Sequence, residues 1–150
     1  KAADSIVPVV PPDVGRIRYP LATSNFHHEI ELVVAIGKAG KATVENANDY
    51  VFGYAVGNDL TRRDLQSEAK DNGRPWDTSK GFDRSAVLSA ITPAAQSGHL
   101  RGGRIWLKVN GQMRQQADLS ELIWSVPEVI ATAPCTRRPP KCACTPVSHW

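Results

Sequence analysis

A Glu-x-Glu pair at the start of an apolar strand is the feature that most constrains this chain. Glu29 and Glu31 lie in residues 26–36, where side chains alternate with the period of two that predicts a β-strand. Both carboxylates therefore share one face, about 6.6–6.8 Å apart along the strand. Their repulsion must be relieved, either by solvent or by a cation. The opposite face is predicted to carry Phe26, His28, Ile30, Leu32, Val34 and Ile36, while His27, Glu29, Glu31 and Val33 share the carboxylate face.

Helices are few in the rest of the pattern. Residues 50–57 are β-branched and aromatic, which predicts a buried strand that Asp59 follows. Thr61 and Asp64 have the spacing of a capping box and predict a helix over 62–71. Residues 73–81 are predicted to be a loop.

The second half of the chain contains a hairpin signal and another helix start. Residues 105–109 and 112–116 flank Asn110-Gly111, which favours a type I′ turn. Ser125 and Glu128 form a second capping-box pattern, which predicts a helix over 126–133 that Pro134 ends. Prolines in residues 1–20 indicate extended or looping chain at a sheet edge. The predicted fold class is α+β, with a mixed or mostly antiparallel sheet.

Composition excludes several classes of protein. The 150 residues have a net charge of +3, 41% hydrophobic residues and 22% charged residues, which excludes collagen-like, mostly disordered and coiled-coil chains. We expect no nucleic-acid partner, because no basic stripe with interleaved aromatics is present. No run is long enough to span a membrane and no signal peptide opens the chain, so we expect no membrane partner and a cytoplasmic protein.

All three cysteines lie near the end of the chain, in residues 132–150, a proline-rich stretch without apolar periodicity. We treat this stretch as an atypical tail, separate from residues 1–131. Two interpretations stay open: a tail without regular structure, and a small metal-binding knuckle, although the spacing matches no standard zinc pattern. The knuckle would use Cys135, Cys142, Cys144 and His149.

Asp59 adds a third carboxylate to the Glu-x-Glu pair. An all-oxygen site selects a hard cation, Mg²⁺, Mn²⁺ or Ca²⁺, over zinc. Arg63 and Gln66 fall on one face of the predicted helix, and Lys80 follows a loop later. Together these groups suit an anionic, oxygen-rich substrate. Taken singly, each of these side chains is more typical of an exposed polar position.

The chain resembles the fumarylacetoacetate hydrolase family, and within it the fumarylpyruvate hydrolases and acylpyruvases. The resemblance is carried, in order, by residues 27–38, 50–66, 73–86, 105–115 and 125–131. It implies stacked, rolled β-sheets with few helices, incomplete at both ends, and a homodimer. It also implies an Mg²⁺ or Mn²⁺ ion held by Glu29, Glu31 and Asp59. The same resemblance assigns substrate contacts to Arg63, Gln66 and Lys80, with Lys80 also catalytic.

Two departures from the family pattern qualify the expected activity. The family has an upstream lid whose His and Glu position and deprotonate the attacking water, and this chain begins downstream of it. His27 and His28 belong to the metal strand and are not assigned that role. The family's Thr-Gly-Thr-Pro closing loop has no counterpart in residues 132–150, for which a frameshift or wrong splice is our hypothesis. We therefore expect this chain alone to be weak or inactive.

The resemblance implies hydrolysis of a carbon–carbon bond in a 2,4-diketo acid such as fumarylpyruvate, giving fumarate and pyruvate. Two alternatives stay open. A site that stabilises an enolate also suits an oxaloacetate decarboxylase or a dienoate isomerase of the same family. The other is a truncated, inactive homologue that still binds metal.

Overall fold

The computed structural model describes residues 1 and 3–133, and the backbone of residues 143–147. Ten strands and four short α-helices occur in this part of the chain. The strands are β1 (Ile6–Val9), β2 (Phe26–His27), β3 (Ile30–Ile36), β4 (Val51–Asp59), β5 (Thr61–Arg62), β6 (Ala86–Ser89), β7 (Thr92–Pro93), β8 (Arg104–Val109), β9 (Gln112–Asp118) and β10 (Ala143–Val147). The helices are α1 (Arg63–Asp71), α2 (Asp77–Lys80), α3 (Ala94–Ser97) and α4 (Val126–Thr132). No helix in the described residues is long and apolar enough to cross a membrane.

The chain divides into two compact units, and β4 runs from one into the other. Residues 1–30 and 57–90 form the first unit. There β6 lies between β1, which is parallel to it, and the antiparallel end of β4. β2 pairs with β5 in a separate two-stranded sheet, and α1 and α2 follow β5. This unit therefore combines parallel and antiparallel pairing, as the α+β class predicts.

Residues 31–56 and 91–150 form the second unit. β3 lies between β4 and β10, and β7 also pairs with β4. The β8–β9 hairpin turns at Asn110 and Gly111, which have φ angles of 51° and 80°. Positive φ at both positions confirms the type I′ expectation. Helix α4 begins after Ser125, whose N–H and hydroxyl both donate to Glu128, so the second capping box is also confirmed.

The structure corrects the single strand predicted over residues 26–36. The chain leaves the strand at His28 and Glu29, so β2 pairs with β5 while β3 joins the larger sheet. The alternation of a buried and a solvated face is also wrong for β3, because six of its seven residues are buried on both faces. Val33 and Val34 are only 2% and 1% exposed. A strand between two hydrogen-bonded neighbours is covered on both faces when side chains pack above and below it.

The first predicted capping box is also wrong. Arg62 occupies the N-cap of α1 without a side-chain capping hydrogen bond, and the Thr61 hydroxyl donates to the Asp59 carbonyl instead. Asp64 instead accepts from the Thr23 hydroxyl at 2.6 Å and the Ser24 N–H at 2.8 Å. Its carboxylate therefore ties the start of α1 to the loop before β2. The residue types suit a capping box, but the Asp64 carboxylate binds residues distant in sequence instead.

The tail of the chain is described only in part. Residues 143–147 form β10, antiparallel to β3, so a tail without regular structure is wrong for these five residues. The knuckle proposed from Cys135, Cys142, Cys144 and His149 lies outside the described residues, apart from the backbone of Cys144. The division into a catalytic domain over residues 1–131 and an atypical tail stays a prediction.

Asp64→Asn should lower the Tm at pH 7, with the loss disappearing in acid. The hydrogen bond from the Thr23 hydroxyl, followed by that from the Ser24 N–H, lowers the pKa of Asp64 from 3.8 to about 2. A depressed folded-state pKa contributes stability that is present above the ordinary pKa and lost as pH falls through about 2. Thermal unfolding of both proteins from pH 7 to pH 2 measures this convergence. Asp71→Asn, at the exposed end of the same helix, is the control, and an unchanged gap at pH 2 would contradict the assignment.

Candidate metal centre

Three carboxylates converge where β3 begins and β4 ends. One carboxylate oxygen from each of Glu29, Glu31 and Asp59 lies within 4.8 Å of the other two. Glu31 is 3% exposed, so a solvated strand face does not explain it. The side chains of Glu29 and Asp59 retain 21% and 17% exposure. The sequence-predicted set is thus brought together, with one buried and two half-buried members.

Backbone hydrogen bonds hold Glu29 beside Asp59. The Asp59 N–H donates to the Glu29 carbonyl at 2.8 Å. The Glu29 N–H donates in turn to the Asn58 side-chain carbonyl at 3.1 Å. The break between β2 and β3 frees the Glu29 backbone for these contacts. The break in the strand, which the sequence periodicity did not predict, therefore places the Glu29 and Asp59 carboxylates side by side.

Three basic side chains face these carboxylates. Lys80 Nζ lies 2.6 Å from Glu29 Oε2 and 3.1 Å from Asp59 Oδ2. Arg63 Nη2 lies 2.8 Å from Glu29 Oε1. Lys1 Nζ lies 2.6 Å from Asp59 Oδ1 and also donates to the Leu60 carbonyl. Their positive charges offset the repulsion that the Glu-x-Glu spacing creates.

The predicted substrate contacts lie in the same cluster. Arg63 Nη1 donates to the Gln66 side-chain carbonyl at 2.5 Å, one helical turn along α1. Gln66 is buried, with 8% exposure. Because its side-chain oxygen accepts from Arg63, its amide nitrogen is the group that can donate to a ligand. Arg63 Nε also lies 3.5 Å from His27 Nδ1. His27 thus contacts a basic residue of the cluster, which agrees with structural service.

Lys80 reaches the carboxylates from a helix, and this corrects the predicted loop over residues 73–81. Helix α2 begins after Trp76, whose carbonyl accepts from the Ser79 and Lys80 N–H groups. The Lys80 carbonyl accepts from the Ser85 hydroxyl at 3.1 Å. A four-residue helix has too few positions to show a helical period, so sequence reasoning missed it.

Sequence reasoning missed three residues of the cluster. Thr61 was interpreted as a helix cap, yet its hydroxyl contacts Glu29 and Lys80. The sequence pattern assigns Asn58 no role, yet its side-chain carbonyl accepts from the Glu29 N–H. Lys1 carried no signal, because a lysine outside any periodic segment is typical of an exposed position.

The donor set fits a hard divalent cation. All three converging ligands are carboxylates, which favours Mg²⁺, Mn²⁺ or Ca²⁺ over zinc. Burial of Glu31 strengthens the case, since a buried carboxylate is costly unless a positive charge compensates it. The fit rests on this donor chemistry.

The chain is thus an α+β protein with a mixed sheet. Its three converging carboxylates form a candidate divalent-cation centre beside basic side chains. The chain belongs to the fumarylacetoacetate hydrolase family. The family described as "Fumarylacetoacetate (FAA) hydrolase C-terminal" matches residues 3–137. The expectation from the ordered motifs is thus confirmed.

Relatives in the family carry more than one activity in their names. A fumarylpyruvate hydrolase from a Ralstonia species is 48% identical over 116 residues, which is 77% of this chain and 60% of that protein. A mitochondrial oxaloacetate tautomerase from Homo sapiens is 42% identical over 121 residues, 80% of this chain and 55% of that protein. The chain thus spans little more than half the length of these relatives.

A solved structure shares the fold. Fumarylpyruvate hydrolase from Pseudomonas aeruginosa, in complex with Mn²⁺ and pyruvate, superposes with a TM-score of 0.86 at 49% identity. The match covers 87% of this chain and 57% of that one. The family fold predicted from the motifs is therefore confirmed, as a mixed-sheet architecture with few helices.

Glu31→Gln should weaken divalent-cation binding at least about tenfold, because loss of a ligand costs no less than loss of an outer-shell partner. Titration calorimetry with MnCl₂, and the rise in Tm that bound metal produces, measure the change. Glu68→Gln, on the exposed side of α1, is the matched control and should bind as the wild type does. Equal affinity in the wild type and Glu31→Gln would remove Glu31 from the ligand set.

Proposed function

We propose that this chain carries the metal site of a hydrolase that cleaves the carbon–carbon bond of a 2,4-diketo acid such as fumarylpyruvate, giving fumarate and pyruvate. Glu29, Glu31 and Asp59 would hold Mg²⁺ or Mn²⁺. The similarity to fumarylpyruvate hydrolases supports the substrate class. The observation that carries the proposal is the convergence of the three carboxylates with Lys80 and Arg63.

Charge balance favours a dianionic substrate. Lys1, Arg63 and Lys80 offset the three carboxylates in the described part of the cluster. A divalent cation would therefore leave the site with a surplus of about two positive charges. Fumarylpyruvate carries two carboxylates, so its binding would restore neutrality in a partly buried site, where an unbalanced charge is costly.

The proposed reaction breaks the bond between carbons 3 and 4. Water adds to the 4-keto carbon, and the electron pair of the broken bond leaves on pyruvate as its enolate, which then takes up a proton. When bound, the cation supplies Lewis-acid stabilisation of the developing enolate charge, worth several kcal/mol. The positive charge of Lys80 would stabilise the negative charge that develops at the keto oxygens, while Arg63 and the Gln66 amide would hold a substrate carboxylate.

Oxaloacetate chemistry is the second candidate. Relatives named as oxaloacetate tautomerases and an oxaloacetate decarboxylase share 38–42% identity with this chain. Oxaloacetate is also a dianionic 2-oxo acid whose reactions pass through an enolate, so the same side chains suit it. Contacts to the rest of the substrate, rather than the carboxylate cluster, would decide between fumarylpyruvate hydrolysis and oxaloacetate chemistry.

Other properties remain predictions. A homodimer and a cytoplasmic location follow from the family resemblance and from composition, respectively. A small anionic diketo acid is the proposed partner of the site, and no nucleic-acid or membrane partner is expected.

Fumarylpyruvate should be the preferred substrate. With Mn²⁺ or Mg²⁺ present, we expect a higher kcat/KM for release of fumarate and pyruvate from fumarylpyruvate than for loss of CO₂ or tautomerisation of oxaloacetate. Product release measured by chromatography compares the substrates in one preparation, so a low absolute rate does not affect the ratio. Preference for oxaloacetate would favour the second candidate, and no turnover of either would support the inactive homologue.

Lys80→Met should separate substrate binding from metal binding. Pyruvate affinity of the Mn²⁺-loaded chain should fall at least about tenfold, because a positive charge beside the bound anion is lost. Mn²⁺ affinity should fall little or rise, since Lys80 repels the ion. Calorimetry measures both, with Lys70→Met at the exposed end of α1 as the matched control. Unchanged pyruvate affinity would remove Lys80 from the substrate site.

A further inference from the structure

We propose that the Thr61 hydroxyl is the positioning group that fixes the Lys80 ammonium between Glu29 and Asp59. The inference deepens the proposed function and rests on it for the role of Lys80 toward substrate. The contacts themselves are independent of that function. All four residues lie in the first compact unit.

Thr61 is a buried polar side chain within the acidic cluster. It is 0% exposed, and its oxygen lies 2.8 Å from Lys80 Nζ, 3.3 Å from Glu29 Oε1 and 3.1 Å from the Asp59 carbonyl. A hydroxyl has one hydrogen to donate and two lone pairs to accept with. An ammonium can only donate, so Thr61 accepts from Lys80 and directs its single hydrogen to the Glu29 carboxylate or the Asp59 carbonyl. The hydroxyl thus joins the ammonium to the backbone and carboxylate that hold the acidic pair.

The Lys80 ammonium has three hydrogens, and three acceptors lie within hydrogen-bond distance of it. Two are the charged oxygens Glu29 Oε2 and Asp59 Oδ2, and the third is the neutral Thr61 Oγ1. With two acceptors, the ammonium group could still rotate about the line that joins them. A third acceptor that is buried and rigid removes this rotation and fixes the position of the Lys80 charge. Threonine supplies that rigidity, because its β-branched side chain has few rotamers and lies in β5.

The burial of Thr61 argues against a purely local role. As a helix cap, its hydroxyl would accept from a backbone N–H of α1, and it does not do so among the described contacts. Valine has the same shape and would fill the same space. A threonine at this buried position is therefore explained by its polar contacts, and not by packing.

The test compares Thr61→Val with Thr61→Ser in the chain without metal. Lysine NH₃⁺ signals in a ¹H–¹⁵N spectrum survive only where hydrogen bonds slow proton exchange, so they report on the Lys80 ammonium directly. We expect the Lys80 signal in the wild type and in Thr61→Ser, and its loss in Thr61→Val. Lys80→Met assigns the signal. A missing wild-type signal, or one that persists in Thr61→Val, would overturn the proposal.

Ser79→Ala is the matched control for loss of a buried hydroxyl. Ser79 is also 0% exposed, and its hydroxyl donates to the Trp76 carbonyl rather than contacting Lys80 Nζ. The Lys80 signal should persist in this variant. Its loss there would show that any buried hydroxyl near α2 has the same effect, and would overturn a specific role for Thr61.

Binding measurements connect the contact to function. Pyruvate affinity of the Mn²⁺-loaded chain should fall about tenfold in Thr61→Val and recover in Thr61→Ser. The same Val substitution in the Lys80→Met background should have no further effect, because Thr61 acts through Lys80. An equal loss in both backgrounds would overturn the proposal. Failure of the wild type to bind Mn²⁺ or pyruvate would instead count against the proposed function, while the spectra would still decide the role of Thr61.

Discussion

The rest of the structure depends on the compensation of three carboxylates that converge where β3 begins and β4 ends. Glu31 is nearly fully buried, and a buried carboxylate is unfavourable unless positive charge or hydrogen bonds offset its desolvation. The surrounding basic side chains pair with the neighbouring Glu29 and Asp59, and each comes from a different segment: the chain start, α1 and α2. Ion pairs to one acidic cluster therefore connect three separate segments of the chain.

The fold brings these segments together by interrupting regular structure. The chain leaves the strand between β2 and β3, which lets Glu29 bond with Asp59 and Asn58 through its backbone. A single helical turn, α2, carries Lys80 back to the carboxylates. Long, regular elements would leave the same side chains spread along a sheet. Irregular backbone at this place is consistent with a site whose residues come from the ends of elements.

A cation-binding cluster of this kind is chemically general. Stabilising an enolate serves hydrolysis of a diketo acid, decarboxylation of oxaloacetate and its tautomerisation equally well. The names of the relatives show this breadth, since fumarylpyruvate hydrolase and oxaloacetate tautomerase share similar identity with the chain. Specificity must then reside in the groups that hold the rest of the substrate. In the proposed function, this selection falls to the groups placed around the carboxylates, Arg63, Gln66 and Lys80.

Sequence alone determined the pieces that depend on local chemistry. The Asn110-Gly111 turn and the Ser125 capping box follow from backbone preferences of a few residues, and the Glu-x-Glu pair with Asp59 indicated an oxygen-rich cation site. Family motifs then indicated the fold. Only the tertiary structure decided that β3 is covered on both faces, that Asp64 binds Thr23 and that Thr61 joins the acidic cluster. The contacts of Asp64 and Thr61 join partners 19 to 41 residues apart in sequence, and no local pattern specifies which distant group a buried polar side chain will meet.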